Sequence, residues 1–275
     1  MVDKVRRESI LILAKTYPSP SAQYIETSCV AGINSHGEMR RLYPVPFRMI
    51  EDSQQFSKWQ WVEVRVEKAN KDHRPESHRL YVDTIETGAV VDSKRSWSSR
   101  WAWLDKIPTF DSFRKMDESR EHGSLSIALL RPKNVRLEIK KARHQDWTPE
   151  EHAKLMQRDQ GSLFDEVERK CQLRALQKIP FDFHYVYDTV GPDGDEEHRH
   201  KIVDWEAGAL FRKCQRSHGP RWEEPFRAKL AGELTGRDLM FLMGNQHRFQ
   251  DQWLIISLVY PPKRAPVDER QALLF

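Results

Sequence analysis

The clearest alternation of apolar and polar positions lies near the start of the chain. Two apolar runs, Ser28–Ile33 and Met39–Val45, flank an Asn-Ser-His-Gly tetrapeptide. Asn and Gly tolerate the positive φ of a tight reversal, so this pattern predicts a β-hairpin. From Trp59 to Val66 apolar and polar side chains alternate, with one slip of phase at Trp61 and Val62. The alternation predicts a long half-buried strand, and the slip predicts a bulge in it.

Two further segments complete a small β-unit. Ile10–Lys15 is typical of a buried strand that ends before two prolines, and Arg79–Ile85 alternates apolar with polar residues. Five strands in about 75 residues, joined by short turns, are compatible with a closed barrel of the OB type. The pattern alone does not separate this barrel from an SH3-like or a PUA-like barrel.

The second half of the chain combines strands with helices. Ser124–Arg131 and Asn134–Arg143 predict two strands, and Phe181–Tyr187 predicts a third strand with an aromatic face. The other predicted elements are two helices, Trp205–Cys214 and Trp222–Leu234, and a closing strand pair, Asp238–Gly244 and Gln252–Tyr260.

Together these elements predict a mainly β protein of the α+β class, with two small OB-like β-barrels, helical insertions and two helices in the C-terminal half. Between the barrels, Trp97, Trp101 and Leu104 recur at helical spacing, which predicts a helix covering an open barrel end. A wall of tryptophans for stacking bases is the alternative. The predicted units are a first barrel at 1–90, a Trp-rich helical connector at 91–122, a second barrel at 123–262 and a C-terminal tail at 263–275.

Charge is unevenly distributed along the chain. The net charge of the 275 residues is +4, but residues 1–145 hold 26 Lys and Arg against 19 Asp and Glu, a net +7. The first half is therefore the better polyanion binder, and so mild an excess suits a groove for a short or single strand. An apolar content of 39% with nine Trp and twelve Phe excludes a disordered chain.

Cysteine usage and hydropathy indicate a cytoplasmic protein without a membrane segment. Cys29, Cys171 and Cys214 show no Cys-x-x-Cys spacing, so neither a disulfide framework nor a structural zinc site is predicted. No apolar run approaches the eighteen or so residues of a membrane span. The charged start of the chain leads only into a short apolar run, which is unlike a signal peptide.

Arginines and aromatic rings alternate densely between the predicted hairpin and the following strand. On a small sheet, rings stack on bases and cations follow phosphates, so this composition favours single-stranded nucleic acid binding. The alternative is structural, with the rings in the barrel core and the arginines at its rim. The predicted phosphate contacts are Arg40, Arg41, Arg48, Lys58 and Arg74, and the predicted stacking residues are Tyr43, Phe47, Trp59 and Trp61.

A basic run follows the predicted connector. It includes Arg131, Lys133, Arg136, Lys140, Lys141 and Arg143. Charge of this kind usually protects a solvated sheet edge against aggregation. As a second basic strip it would extend a nucleic-acid groove.

The chain also resembles a prokaryotic family described as a dual OB-containing domain. The resemblance covers the whole chain and is carried by short motifs: Ile10-Leu-Ile-Leu-Ala-Lys-Thr-Tyr-Pro-Ser-Pro-Ser21, Cys29-Val-Ala-Gly-Ile33, Arg41-Leu-Tyr-Pro44, Pro46-Phe-Arg48, Arg74-Pro-Glu-Ser77, Asp204-Trp-Glu206 and Tyr260-Pro-Pro-Lys263. It implies two small β-barrels and a nucleic-acid-linked role in defence, mobile-element or DNA-modification neighbourhoods. It assigns no catalytic residues.

One polar cluster is a candidate for catalysis. His198 and His200 would share one face of a strand, and Asp204 and Glu206 follow at the next junction, with Asp238 and His247 as candidate neighbours. Such a set would bind Mg²⁺ or Mn²⁺ and activate water on a phosphodiester. The structural alternative, which we favour, is that the histidines lie on an exposed hairpin and that Asp204 caps the following helix.

The last five residues resemble the bacterial sliding-clamp-binding motif. Gln271, Leu274 and Phe275 would anchor in a hydrophobic pocket of the clamp, because an exposed Leu-Leu-Phe is costly unless something buries it. A second copy, Gln160-Gly-Ser-Leu-Phe164, lies inside the chain. Docking onto the protein's own surface is the alternative for both copies.

The sequence therefore favours binding over catalysis. The leading hypothesis is a DNA-binding accessory protein of a bacterial defence, DNA-modification or replication-linked system, acting on single-stranded or short duplex DNA without a cofactor. The alternatives are a metal-dependent nuclease or nucleic-acid-modifying enzyme and a protein-interaction adaptor. Candidate protein partners are the sliding clamp and an enzyme encoded by a neighbouring gene.

Overall fold

A computed structural model describes residues 5–21, 25–156 and 176–263. The first unit is a closed five-stranded barrel made of β1 (Val5–Lys15), β3 (Ile25–Asn34), β4 (Met39–Val45), β5 (Gln60–Lys68) and β6 (Ser77–Leu80). The strand order is β1-β3-β4-β6-β5, and β5 pairs with β1 to close the barrel. All pairs are antiparallel except β4–β6, which is parallel. This is an OB-like barrel.

The predicted hairpin and bulge are both present in this barrel. β3 and β4 pair from Ser28↔Val45 to Ile33↔Met39 around a turn at Asn34–Gly37, where Gly37 has a φ of 86°. On its other edge β5 pairs with a short strand, β7 (Glu86–Val90), and the register shifts between Gln60 and Val62. A three-residue strand, β2 (Ser19–Ser21), pairs with β3.

The second unit consists of two sheets. One contains β10 (Lys133–Lys141), β11 (Phe181–Val190) and β12 (Asp195–Lys201), all antiparallel. The other has the order β14-β13-β9-β8, with β8 (Thr109–Phe110), β9 (Ile127–Leu130), β13 (Met240–Asn245) and β14 (Trp253–Val259). A parallel bridge between Ile202 and Ile255 connects the sheets at the end of β12.

Five α-helices accompany the strands in the described ranges. α1 (Lys94–Leu104) has a left-handed first turn at Arg95, Ser96 and Trp97. α2 (Phe113–Glu121) and α3 (Pro149–Met156) are short, and α4 (Trp205–His218) is the longest. α5 (Glu223–Arg227) continues into a π-helical turn, Ala228–Glu233.

Alternation along β11 builds the core of the second unit. Phe183, Tyr185 and Tyr187 point inward and are at least 96% buried, whereas Asp182, His184 and Val186 face outward. Behind them pack α4 and α5, through Phe211, Trp222 and Phe226. The predicted aromatic face of this strand is therefore a core face.

The two units share a hydrophobic interface, which we call the seam. The outer faces of β1, β3 and β4 supply Leu11, Leu13, Ala31, Ile33 and Met39; β9, β13 and β14 supply Ile127, Leu129, Met240, Leu242 and Ile256. Trp97, Trp101 and Leu104 of α1 pack into the same cluster, so the predicted helix is present and its tryptophans are buried rather than forming an open wall. The helix packs in the seam, against the outer faces of the barrel strands.

None of the helices in the described ranges is both long and apolar enough to cross a bilayer.

Candidate nucleic-acid interface

Two of the predicted phosphate-binding arginines lie inside the seam. The Arg41 side chain is 97% buried, and its Nη2 donates to the carbonyl oxygen of Ser126 at 2.7 Å and to its Oγ at 3.1 Å. From the same barrel, the Glu76 carboxylate accepts from Ser126 N at 2.8 Å. Arg74 donates to the Asn245 carbonyl oxygen at 2.6 Å. These side chains therefore connect the two units.

The other predicted cations also have protein partners. Arg40 is buried and forms ion pairs with Glu8 at 2.7 Å and with Glu38 at 2.5 Å. Arg48 forms an ion pair with the buried Glu26 at 3.1 Å. Lys58 Nζ donates to the Leu258 carbonyl oxygen at 2.6 Å and lies 3.5 Å from a Glu206 carboxylate oxygen. Each cation is thus held by the fold.

The predicted stacking rings differ in exposure. Phe47 and Trp59 are buried, and Phe47 packs edge-on against Phe56 with centroids 4.9 Å apart. Trp61 is half-buried against Trp103, whereas Tyr43 is 51% exposed. Tyr43 and Trp61 lie on strands that β6 separates. The prediction that cations and rings between positions 40 and 61 share an open trough is therefore wrong.

The physical reason is that an OB-type barrel this small needs its rings for packing. Phe47 and Phe56 close one end of the barrel around the ammonium of Lys15, whose Nζ lies 3.8 Å from the Phe47 centroid and donates to the Phe56 carbonyl oxygen at 2.7 Å. Trp59 packs edge-on against Trp97 in the seam. The aromatic residues that are dense in this part of the sequence therefore belong to the barrel core and to the seam.

A different surface is open and rich in cations. The outward side chains of β10, β11 and β12 face solvent, and we call this surface the outer sheet face. It carries five cations, Lys133, Arg136, Lys140, Arg199 and Lys201. Three of these belong to the basic run that the sequence singled out; its Arg131 instead forms an ion pair with Asp238 at 2.7 Å, at the end of β9.

Carboxylates alternate with these cations across the strands. Glu138 accepts from Arg199 at 2.5 Å and from Lys140 at 2.9 Å, and its pKa is lowered to about 2, chiefly by the hydrogen bond from Arg199. Arg136 pairs with Glu197, and Lys201 lies 2.5 Å from Asp182. The outer sheet face is therefore a lattice of exposed ion pairs, not a bare basic strip.

Two loops lie together at one end of the second unit. The loop between β13 and β14 carries Arg248 and Phe249, and the Phe249 ring is 55% exposed. Its His247 contacts the carbonyl oxygen of Lys71, in the β5–β6 loop of the first barrel, at 3.0 Å. Phe249 was not among the predicted stacking residues, and the pair Arg248-Phe249 in a polar hairpin loop was the available signal.

The two histidines considered for a metal site lie on the inner side of β12. The Tyr187 hydroxyl is 2.9 Å from His200 Nδ1, and the Thr189 hydroxyl is 2.9 Å from His198 Nε2. The Phe113 ring lies 4.8 Å from both imidazole rings. Burial lowers the pKa of His200 to about 4 and also lowers the pKa of His198. The two imidazole rings therefore pack beneath α2. The prediction that they lie on an exposed hairpin is wrong.

The carboxylates do not join these histidines. Asp204 is buried, caps α4 by accepting from Glu206 N at 2.7 Å, and accepts from Leu258 N at 2.8 Å. The capping interpretation of Asp204 is confirmed. Asp238 pairs with Arg131, and His247 is 4.0 Å from Asp72. Within the described ranges, no group of three or more His, Cys, Asp or Glu side chains is placed to hold a metal ion.

Both copies of the clamp-like motif, Gln160–Phe164 and the C-terminal one with Gln271, Leu274 and Phe275, lie outside the described residues.

The strand order and the polar outer sheet face define an OB-like barrel protein with its open polar surface on the second unit. The chain belongs to the family described as Domain of unknown function (DUF8757), whose model matches residues 107–275. Residues 6–106 match the model described as Domain of unknown function (DUF8758).

No curated protein matches the chain. Among solved structures, a chain in a Replication Protein A heterotrimer bound to ssDNA is similar at 10% identity, with 99% of this chain and 68% of that chain covered. The TM-score is 0.24, so this likeness carries no argument about fold or ligand.

Proposed function

We propose that the protein is a nucleic-acid-binding accessory protein built from two OB-type barrels, and that the second barrel holds the strand. The second unit supports this through its pairing order. If β9 and β10 are taken as one bent strand, it pairs with β11 and with β13, and β12 meets β14 in parallel. The resulting order repeats that of the first barrel, including the parallel contact.

The position of the open surface is the observation that carries the proposal. OB barrels bind oligonucleotides on the outer face of their second and third strands. In the first barrel those strands are β3 and β4, whose outer face is buried in the seam. In the second barrel they are β11 and β12, whose outer side chains lie on the outer sheet face. The first barrel would therefore use this face to pack against the second unit, and the second barrel would use it to bind the strand.

The exposed ion pairs of the outer sheet face suit a surface on which phosphates replace carboxylates as partners of the arginines. The side chains of Arg136 and Arg199 are 64% and 41% exposed. An exposed ion pair contributes only about 0–1 kcal/mol, so a phosphate replaces a carboxylate there at little cost. The exposed ring of Phe249, on the β13–β14 loop, offers a face for stacking a base. The carboxylates between the cations favour a strand with widely spaced phosphates over a duplex.

The test is fluorescence anisotropy with labelled single strands and duplexes over a series of salt concentrations. The Arg136→Glu/Arg199→Glu variant should lose at least about tenfold in affinity and lower the salt slope by about two phosphate contacts. Arg7→Glu is the matched control, because Arg7 is 54% exposed and ion-paired on the first barrel. It should bind as the native protein does.

Absence of binding to either nucleic acid at low salt would end the proposal. Binding with the expected salt slope but equal affinity for both charge-reversal variants would place the site elsewhere. If the outer sheet face instead captures a protein, the adaptor alternative gains support. The proposed defence or DNA-modification setting rests on the family resemblance alone, and the replication-linked setting rests on the clamp-like motifs alone.

A further inference from the structure

A second candidate binding site lies away from the outer sheet face. A groove of about 660 Å³ opens between the β9–β10 connection, the loop before β13 and the segment after β14. This volume lies in the usual range for small-molecule sites. Its lining includes Arg131, Asn134, Arg237, Asp238 and Lys263.

The groove has more cationic than anionic groups. Arg131, Arg237 and Lys263 line it against one carboxylate, Asp238, which lies 2.7 Å from Arg131 Nη1. Arg237 has only a long contact, 3.6 Å, with Glu233, and Glu233 is held more closely by Lys229 at 2.6 Å. Lys263 has no carboxylate within 4.0 Å among the residues that the structure describes. Among the described residues, Arg237 therefore has only this long ion pair and Lys263 has none.

The remaining walls provide apolar contact and fixed geometry. Pro132, Val135 and Leu239 line the groove beside the cations. Asn134 adopts a φ of 50° at the bulge of β10, and its side chain donates to Asp188 at 2.8 Å. Asn tolerates this left-handed conformation, and its hydrogen bond to Asp188 holds the side chain beside the groove.

We propose that this groove binds a nucleotide phosphate monoester, with the dianionic phosphate between Arg237 and Lys263 and the sugar or base against Val135 and Leu239. The charge of a phosphate monoester near neutral pH, about −1.5 to −2, is opposite to the formal excess of the described lining, which has three cations against one carboxylate. Guanidinium groups recognise phosphate through paired hydrogen bonds, which gives Arg237 the main role. The same group occurs in a free mononucleotide and at the phosphorylated end of a strand.

The experiment is isothermal titration calorimetry of the full chain in phosphate-free buffer, with thymidine 5′-monophosphate and with thymidine. The monophosphate should bind and thymidine should not. Arg237→Gln and Lys263→Gln should each weaken binding by about tenfold, the effect of one lost charged contact. Arg7→Gln, an exposed arginine of the first barrel, is the control and should change nothing. Circular dichroism checks that each variant is folded.

Two oligonucleotides then identify the source of the phosphate. Tighter binding of a 5′-phosphorylated strand than of its 5′-hydroxyl counterpart, lost in Arg237→Gln, assigns the groove to strand ends. Equal binding of both strands, with the monophosphate still bound, assigns it to free nucleotides. The proposal is overturned if the monophosphate fails to bind at about 10 mM, or binds the two groove variants as it binds the native protein. Because the mononucleotide does not need the outer sheet face, failure here leaves the proposed function untouched.

Discussion

The seam contains a buried polar network around Arg41. Disrupting it should show whether Arg41 stabilises the fold or contacts nucleic acid. The perturbation is Arg41→Met, which keeps the apolar stem and removes the guanidinium. In the native protein, Arg41 Nη2 donates hydrogen bonds of 2.7 and 3.1 Å to Ser126. The backbone N–H of Ser126 in turn donates to the Glu76 carboxylate at 2.8 Å. Arg41 and Glu76 thus bring opposite charges to the same buried residue, Ser126.

The magnitude follows from these contacts. A hydrogen bond to a charged group contributes about 1.5–3 kcal/mol, and the Arg41→Met variant would lose two of them and leave the Glu76 carboxylate less well compensated. Arg41 Nε has no hydrogen-bond partner among the described residues, so removing it recovers some desolvation energy. The expected net loss in the free energy of unfolding is about 3–5 kcal/mol, or about 6–20 °C in Tm for a chain of this size.

The assay combines thermal unfolding with nucleic-acid binding at 15 °C, where the variant stays folded. Arg79→Met is the control, since Arg79 is exposed on the same barrel and should change stability by less than about 0.5 kcal/mol. Arg41→Met should melt much earlier and bind as the native protein does. A Tm within about 2 °C of native would refute the stabilising role. Loss of affinity in the folded variant would instead make Arg41 a direct contact.

Two further predictions concern the stability of the fold. Gly32→Ala should destabilise the protein by about 1–3 kcal/mol in urea unfolding, because the new Cβ would lie 2.5 Å from the Leu11 carbonyl oxygen. The control Gly232→Ala, in open space on a helical turn, should be neutral or stabilising by up to about 1 kcal/mol. Equal effects of the two substitutions on stability would contradict the packing argument. Stability should also fall on acidification from pH 6.5 towards 4: burial lowers the pKa of His200 to about 4 in the folded state, so the unfolded chain binds the proton first and acid favours unfolding. His200→Gln should flatten that dependence in urea titrations at pH 7.5, 6 and 5, and an unchanged slope would contradict it.

Local patterns predicted most strands of this protein. The Asn34–Gly37 hairpin, the bulge near Trp61 and the inward aromatic face of β11 all follow from side-chain alternation and turn chemistry, which act over a few residues. The predicted strand at Arg79–Ile85 instead splits into β6 and a 3₁₀ turn, Val82–Thr84, before β7. β12 begins at Asp195, and its acidic outward residues pair with cations of β10.

The site was harder to predict because it depends on which barrel face the other unit covers. Arg41, Trp59 and Arg74 have the composition of a binding groove, and that composition is equally suited to a polar and aromatic interface between two units. Sequence periodicity distinguishes the inner from the outer side of a strand. It does not report whether the outer side meets water or a second sheet, and this was decided by contacts more than 80 positions apart, such as Arg41 to Ser126.

The shared seam gives the molecule a mechanical property. With Leu13, Ile33, Leu242 and Ile256 in one cluster and Arg41 and Arg74 anchored across it, the two units are held in one arrangement. Anything fused or bound to the first barrel would keep a fixed distance and orientation relative to the outer sheet face of the second unit. The protein would then act as a rigid spacer between two bound groups rather than as a flexible linker.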